Sequence, residues 1–173
     1  LSSFDGRGDI TEAAEINLHR WATSATPFDL EGDGDSDLYV TCIGPDVMLR
    51  NDEGVFTDIT ASAGLGCDGW GTCAAAGDLD GDGWDDLVVV DAAAGEILVG
   101  INNQASGIDE LSLTGDDVVD AAVAAVGDTD GDGIGDLWIG LPQASFGGAA
   151  YLVTGAVESG SLDDAEAIVT GRR

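Results

Sequence analysis

The chain has 173 residues, of which 34 are acidic and five are basic, so its formal net charge is −29 at neutral pH. This balance excludes a nucleic-acid-binding protein that works through phosphate contacts, and it argues against docking on an anionic membrane, because both need a basic surface. Hydrophobic residues make up 44% of the chain, which is enough to build a core. The length predicts one structural unit.

Residues 1–20 form an N-terminal lead-in segment. Its first part, LSSFDGRGDITEAAE, is acidic and lacks the apolar region of a signal peptide. Ile10–Trp21 has a weak helical pattern, and we expect a short helix there. The longest apolar run, Ala121–Val126, is far shorter than the roughly 20 residues of a membrane helix. We therefore expect no membrane insertion.

One pattern occurs three times in the chain. The copies begin at Asp29, Asp78 and Asp128, so the period is 49 to 50 residues, and they read DLEGDGDSDLYV, DLDGDGWDDLVV and DTDGDGIGDLWI. We divide the chain into repeats at 21–69, 70–119 and 120–173, the last of which includes the start of a further repeat. Trp21 and Trp70 each lie eight residues before their loop, and this shared position predicts packing in the core.

Each repeat contains about four short segments rich in β-branched and aromatic residues. Small apolar residues precede each acidic loop, and Gly, Asn and Asp separate the later segments. The predicted strands after the loops are 38–41, 47–49 and 55–59 in the first repeat, 87–90, 97–101 and 111–113 in the second, and 137–139, 150–153 and 167–169 in the third. This pattern predicts an all-β fold of β-propeller-type blades, each of about four antiparallel strands.

The three acidic loops follow the pattern D-x-D-x-D-G-x-x-D, with Glu in place of the second Asp in the first copy. Calcium takes six to eight oxygen ligands at about 2.3–2.6 Å, and side chains at positions 1, 3, 5 and 9, with the carbonyl at position 7, can supply them. Without a cation the carboxylates would repel one another. We predict three Ca²⁺ sites. Their ligands are Asp29, Glu31, Asp33, Asp35 and Asp37; Asp78, Asp80, Asp82, Trp84 and Asp86; and Asp128, Asp130, Asp132, Ile134 and Asp136.

Two other types of calcium motif do not fit these loops. An EF-hand loop needs Glu at position 12, where this chain has Val40, Val89 and Ile139. The calcium β-helix needs tandem glycine-rich nonapeptides, which the chain lacks. A solvated acidic turn would explain a single copy, but three copies in one register favour metal binding.

The loops and the strands that follow them resemble the FG-GAP/VCBS-type repeats of integrin-α-like β-propellers. The third copy, GDTDGDGIGDLWIGLP followed by FGGAAYLVTG, is most similar, and MLRNDEGVFTDITASAGLG resembles a connecting stretch of the bacterial branch of that family. The resemblance covers about residues 20–170 and implies calcium binding by the loop carboxylates. Three repeats are fewer than the usual four to eight blades, so we expect a partial propeller or one completed by assembly.

These features favour a non-enzymatic, calcium-stabilised extracellular or cell-surface module that serves adhesion, scaffolding or self-assembly. Its partners would be calcium and either further copies of itself or a protein or glycan ligand, and the sequence leaves monomer, ring and filament open. The alternative is a propeller segment of a secreted carbohydrate-active enzyme or glycan-binding protein. His19 is the single histidine, and no nucleophile motif accompanies it, which argues against an enzyme. Trp84, in a loop, is the candidate surface for sugar stacking.

The three cysteines allow two interpretations. Cys67 and Cys73 flank a glycine-containing stretch and could form a local disulfide, which would leave Cys42 unpaired. Alternatively, all three are free thiols.

Overall fold

The computed structural model describes residues 20–103, 107–115, 117–144, 147–162 and 167–170. These residues form an all-β structure with three antiparallel sheets, one for each repeat of the sequence. The two helical elements are short: α1 (Thr60–Ala63), and a 3₁₀ turn at Val118–Asp120. The expected helix at Ile10–Trp21 falls outside the described residues, except that Trp21 begins a strand.

The first four strands of sheets I and II and the first three of sheet III form meanders in which neighbouring strands follow one another along the chain; β12 and β13 are added at an edge beside β8 and β11. Sheet I has the order β1-β2-β3-β4, sheet II β12-β8-β7-β6-β5 and sheet III β13-β11-β10-β9, and only the short β12 pairs in parallel. The strands of sheet I are β1 (Trp21–Phe28), β2 (Asp37–Ile43), β3 (Val47–Asp52) and β4 (Val55–Asp58). Those of sheet II are β5 (Gly71–Gly77), β6 (Asp86–Asp91), β7 (Glu96–Asn103), β8 (Gly107–Thr114) and β12 (Gly160–Ser161). Those of sheet III are β9 (Ala122–Gly127), β10 (Asp136–Leu141), β11 (Ala149–Val153) and β13 (Ala167–Thr170).

The sheets stack face to face in chain order. Alternate residues of the strand after each loop point to opposite faces of the sheet, so one sheet can contact a neighbour on either side. Tyr39 and Met48 of sheet I share a buried cluster with Val89 of sheet II. On the other face of sheet II, Val88 packs in a second cluster with Ile139 of sheet III. Sheet II is therefore covered on both faces, which explains why β6 is buried along its whole length.

The first strands of the three sheets lie side by side, and their small residues allow this close approach. The hydroxyl of Thr23 in β1 donates to the carbonyl of Gly71 in β5 at 2.6 Å. A Cβ atom at Gly77 in β5 would lie 2.8 Å from that of Ala125 in β9. The small apolar segments before the loops thus set the spacing between sheets. Closure of the three sheets into a ring is not seen in the part of the chain that the structure describes.

The prediction that Trp21 and Trp70 belong to the core is wrong. Trp21 is 78% exposed and Trp70 is 46% exposed. Both lie where the first strand of a sheet begins, and both pair with Ile43, which is itself 53% exposed at the end of β2. Their shared position reflects the repeat itself and not burial.

The cysteines are free, so the disulfide interpretation is excluded. Cys67 is buried between sheets I and II, whereas the Cys73 side chain belongs to the cluster between sheets II and III, 3.4 Å from the carbonyl oxygen of Ala121. The two thiols therefore lie on opposite sides of sheet II.

A buried carboxylate lies between sheets I and II, at the end of β2 remote from its acidic loop. Asp46 is 1% exposed, accepts the Tyr39 hydroxyl at 2.9 Å and accepts the Cys42 N–H at 2.7 Å. The pKa of Asp46 is raised to about 6, mainly by burial and also by the nearby Asp91, against the two hydrogen bonds and Arg20, which lower it. Asp46 is therefore an ionisable group whose charge state changes near neutral pH.

The raised pKa predicts that Asp46 makes the fold less stable as the pH rises. The folded chain holds this proton more tightly than the unfolded chain, so the stabilisation is complete at low pH and is lost as the pH passes through about 6. Asp46→Asn cannot ionise; its side-chain oxygen still accepts the Cys42 N–H, whereas its amide nitrogen can only donate to the Tyr39 oxygen. Relative to the native chain, we expect its free energy of unfolding to rise by about 1 kcal/mol between about pH 5 and about pH 7 in urea titrations. The exposed Asp68→Asn is the matched control, and equal pH dependence in Asp46→Asn and the native chain would contradict the assignment.

Candidate metal centre

The three acidic loops share one backbone conformation, which glycines make possible. The glycines at position 6, Gly34, Gly83 and Gly133, have φ values of +91°, +92° and +91°. A side chain at these positions would be strained, because L-residues rarely adopt this conformation. The repeated D-G-D spacing therefore produces the same turn three times, and each turn leads directly into the second strand of its sheet along the chain.

The first carboxylate of each loop binds the backbone of the turn. Asp78 accepts the N–H groups of Gly81 at 2.7 Å and Gly83 at 3.0 Å, and Asp128 accepts the equivalent pair in the third loop. These hydrogen bonds lower the pKa of Asp128, because they stabilise its charged form.

The carboxylates at positions 3 and 5 are held by further turns within the loop. Asp80 accepts the N–H of Asp82 at 3.0 Å, and Asp82 accepts that of Trp84 at 2.9 Å. In the third loop Asp130 and Asp132 repeat these contacts. Each carboxylate thus uses an oxygen to fix the loop.

The ninth carboxylate is buried beneath each loop and ties it to the sheet. Asp86 is 0% exposed and accepts the N–H of Leu79 at 2.6 Å through one oxygen and that of Asn102 at 2.8 Å through the other. Asp37 has the same two types of contact in the first loop. This residue therefore joins the loop to the third strand counted from the start of its sheet.

Asp136 differs from Asp37 and Asp86 in having one buried oxygen without a partner. Its Oδ2 accepts both the N–H and the hydroxyl of Thr129, but its Oδ1 has no hydrogen-bond partner. In sheet III, β11 ends at Val153, and Gly155, which takes the place of Asn51 and Asn102, has φ of +72° and gives this oxygen no hydrogen bond. A buried carboxylate oxygen without a partner destabilises the fold unless a cation or a water molecule contacts it.

Two of the three loops bring carboxylates together tightly enough to hold an ion. Ligand atoms of Asp78, Asp80 and Asp86 lie within 4.8 Å of one another, and so do those of Asp128, Asp130 and Asp132. The oxygen donors suit a hard divalent cation, and together with the orphaned Asp136 oxygen they fit the predicted calcium chemistry. The carbonyl ligands expected from Asp35, Trp84 and Ile134 stay a prediction.

The electrostatics of the second loop show the repulsion expected of clustered acids. The pKa of Asp86 is raised to about 6, mainly by burial and also by the charges of Asp80 and Asp82, against the two backbone hydrogen bonds, which lower it. Burial and the charges of its neighbours also raise the pKa of Asp80. A cation in this loop would relieve this cost by favouring the ionised carboxylates.

The first loop is arranged differently from the other two. Asp29 and Asp33 bind backbone N–H groups of the turn, but Glu31 makes an ion pair with Arg50 of β3, with Nε and Oε1 3.3 Å apart. Asp35 accepts the N–H of Glu53, across the turn between β3 and β4. The acidic side chains of this loop do not converge as those of the other two loops do among the described residues.

Neighbouring loops touch one another through their fourth and seventh positions. The ring of Trp84 lies against Gly32, where a Cβ would be 2.4 Å from the indole. Ile134 lies against Gly81 in the same way. The backbone also connects the loops, since the N–H of Gly135 donates to the carbonyl of Asp78 at 2.9 Å.

Trp84 also borders a cleft between sheets I and II. The cleft has a volume of about 360 Å³, and its other lining residues include Arg50, Glu31 and Asn102. Trp84 is only half-buried, yet its ring already packs on the first loop. Its main observed role is thus contact between loops, which the sequence analysis did not anticipate.

Comparison with known families found a matching family model, which covers two of the acidic loops. Residues 29–89 match the family model described as an FG-GAP-like repeat. Over this range the chain is similar to an FG-GAP-like repeat. The matched range contains the first two acidic loops and ends in β6, so the third copy, which looked most similar by its sequence, lies outside it. No curated protein matches the chain.

The FG-GAP-like repeat and the all-β fold were therefore predicted correctly from the sequence. Two residues at the loops were not predicted: Arg50, which no acidic motif indicates, and Asn102, whose backbone and side chain both bond to loop residues. A signal for Asn102 existed, because Asn51 occupies the matching place in the first repeat. No helix among the described residues is long and apolar enough to cross a membrane.

The contact between Gly135 and Asp78 predicts strong sensitivity to a single methyl group. A Cβ at position 135 would lie 2.2 Å from the Asp78 carbonyl oxygen, so Gly135→Ala must break the hydrogen bond between the second and third loops. We expect a loss of about 2 kcal/mol or more in the free energy of unfolding, measured by urea titration. Gly66→Ala is the matched control, because its Cβ would meet open space. A loss equal to that of the control would contradict the assigned contact.

Proposed function

We propose that this chain is a calcium-stabilised, non-enzymatic repeat module of the extracellular space or cell surface, whose sheets are propeller-type blades. The observation that carries the proposal is the set of acidic loops in one register, two of which bring three carboxylates within 4.8 Å. The matched FG-GAP-like repeat supports an extracellular module of this general kind.

Stability is the property that these sites would control. The loops connect β1 to β2, β5 to β6 and β9 to β10, and each buried ninth carboxylate binds its loop to the sheet. An ion that joins the loop carboxylates therefore stabilises the same connection. Extracellular modules bind calcium with dissociation constants of about 10⁻⁴–10⁻³ M, which suits the calcium level outside cells.

Chelation is expected to lower the melting temperature sharply. At about 10 mM calcium, a site with a dissociation constant of about 10⁻⁴ M contributes about 2.7 kcal/mol, so two sites correspond to a shift of at least about 10 °C for a chain of this size. The measurement is a thermal melt followed by circular dichroism in calcium and in excess EGTA, with magnesium as the competing ion.

Two matched variants connect the melt to the loops. Asp80→Asn removes a charge from the second loop and is expected to reduce the calcium-dependent shift, because Asp80 belongs to a converging group. Asp68→Asn removes an exposed charge outside the loops and should leave the shift unchanged. A melt that does not respond to EGTA in the native chain would refute calcium stabilisation.

We further propose that the module takes part in scaffolding, adhesion or self-assembly through the outer face of sheet III. On the register of β9, β10 and β11, this face carries Ala124, Trp138 and Leu152 in one row and Ala122, Gly140 and Ala150 in the next. The equivalent faces of sheets I and II are covered by the following sheet. Among the described residues no further sheet covers this one.

Self-assembly through this face predicts large species in solution. Sedimentation velocity in calcium should show oligomers of the native chain, and Ala124→Arg should reduce them, because a charge on an apolar contact face is costly to bury. Ser62→Arg adds the same charge at an exposed position of α1 and is the control. A native chain that sediments only as a monomer would exclude self-assembly and leave a heterologous partner.

A further inference from the structure

A positively charged side chain from a neighbouring strand lies at the first acidic loop. The strand pairs Leu38–Leu49, Leu87–Gly100 and Leu137–Val153 are equivalent in the three repeats. The residue that follows the second member of each pair is therefore Arg50 in the first repeat, Ile101 in the second and Thr154 in the third. Only the first of these three positions is charged, although the loops themselves share one pattern.

The guanidinium of Arg50 binds a carboxylate that belongs to the loop pattern. Its Nε lies 3.3 Å from Oε1 of Glu31, the third-position acid, and its Nη2 lies 2.7 Å from Oδ2 of Asp52. The charge of Asp37, at the ninth position, helps to raise the pKa of Arg50, after the larger effects of Asp52 and Glu31. One side chain thus interacts with the third-position acid and lies near the ninth-position acid of the first loop.

In the other two loops the third-position acid has a different role. Asp80 lies with Asp78 and Asp86, and Asp130 with Asp128 and Asp132, in groups whose ligand atoms are within 4.8 Å of one another. Glu31 belongs to no such group among the described residues, because its longer side chain turns to Arg50. A divalent ion at the first loop would have to compete for Glu31 and would lie beside a fixed positive charge.

We propose that Arg50 weakens calcium binding at the first loop, so that the second and third loops fill first and the first fills only at higher calcium concentration. This inference rests on the proposed function, since it assigns unequal roles to the loops. By Coulomb's law, a single positive charge about 6 Å from a divalent ion in a water-like dielectric lowers the affinity about tenfold. The ion pair of Arg50 with Asp52 keeps the guanidinium near the loop when Glu31 is released.

The test is calorimetric titration of the folded chain with calcium, after complete removal of metal. For the native chain we expect two tighter sites and one about tenfold weaker. In Arg50→Gln the weak site should tighten about tenfold, while the other two stay unchanged. Arg50→Lys keeps the charge and should keep the weak site, which separates the effect of charge from that of shape. Circular dichroism of each variant confirms that it is folded.

Two further variants assign the effect to its loop. Adding Asp33→Asn to Arg50→Gln should abolish the tightened site and no other, because Asp33 lies in the first loop. Arg20→Gln changes the net charge equally, but Arg20 binds the carbonyls of Pro45 and Asp46 at the opposite end of β2, so the three affinities should stay as in the native chain.

The outcomes separate this inference from the proposed function. Three equal sites in the native chain, or an Arg50→Gln variant whose third site is unchanged while the other two bind, would overturn the role of Arg50 and leave calcium stabilisation intact. Absence of binding at every loop would overturn the proposed function, and this inference with it.

Discussion

A single buried carboxylate beneath each loop connects local sequence to the whole fold. Asp37, Asp86 and Asp136 are almost fully buried, and each accepts a backbone N–H from the second residue of its own loop. In the first two repeats the other oxygen accepts an N–H from the third strand of the sheet, β3 or β7. Burying an ionised carboxylate is costly without such partners, so the loop and the sheet each depend on the other.

The repeat made the all-β fold predictable, because its alternation and turn residues are local signals. The strands after the loops were expected at nearly their observed places, as Leu87–Val90 lies within β6 and Ile97–Ile101 within β7. Burial was harder to predict, since it depends on the distance between sheets. Trp21 and Trp70 share a repeat position that suggested a core role, yet both lie at exposed strand starts beside Ile43.

The candidate site was predictable only in part, for a similar reason. The glycines and carboxylates follow one another in sequence, so the shape of the loops follows from their spacing. Arg50 lies 19 residues from Glu31 along the chain, and strand pairing alone brings it to the loop. Nothing in the repeat pattern indicates it, because the matching residues Ile101 and Thr154 are uncharged. The contact of Trp84 with Gly32 joins different repeats and is likewise invisible in either repeat alone.

The contacts between successive loops give the molecule a direction. Each of the first two loops contacts the next one: the ring of Trp84 packs on Gly32, and the N–H of Gly135 donates to the Asp78 carbonyl. A repeat array of this kind behaves as a one-dimensional chain of units with nearest-neighbour coupling. Sheet II is supported on both sides, so loss of structure should begin in an outer sheet and move inward one unit at a time. Under mechanical load the module would then yield in steps, with the middle repeat the last to give way.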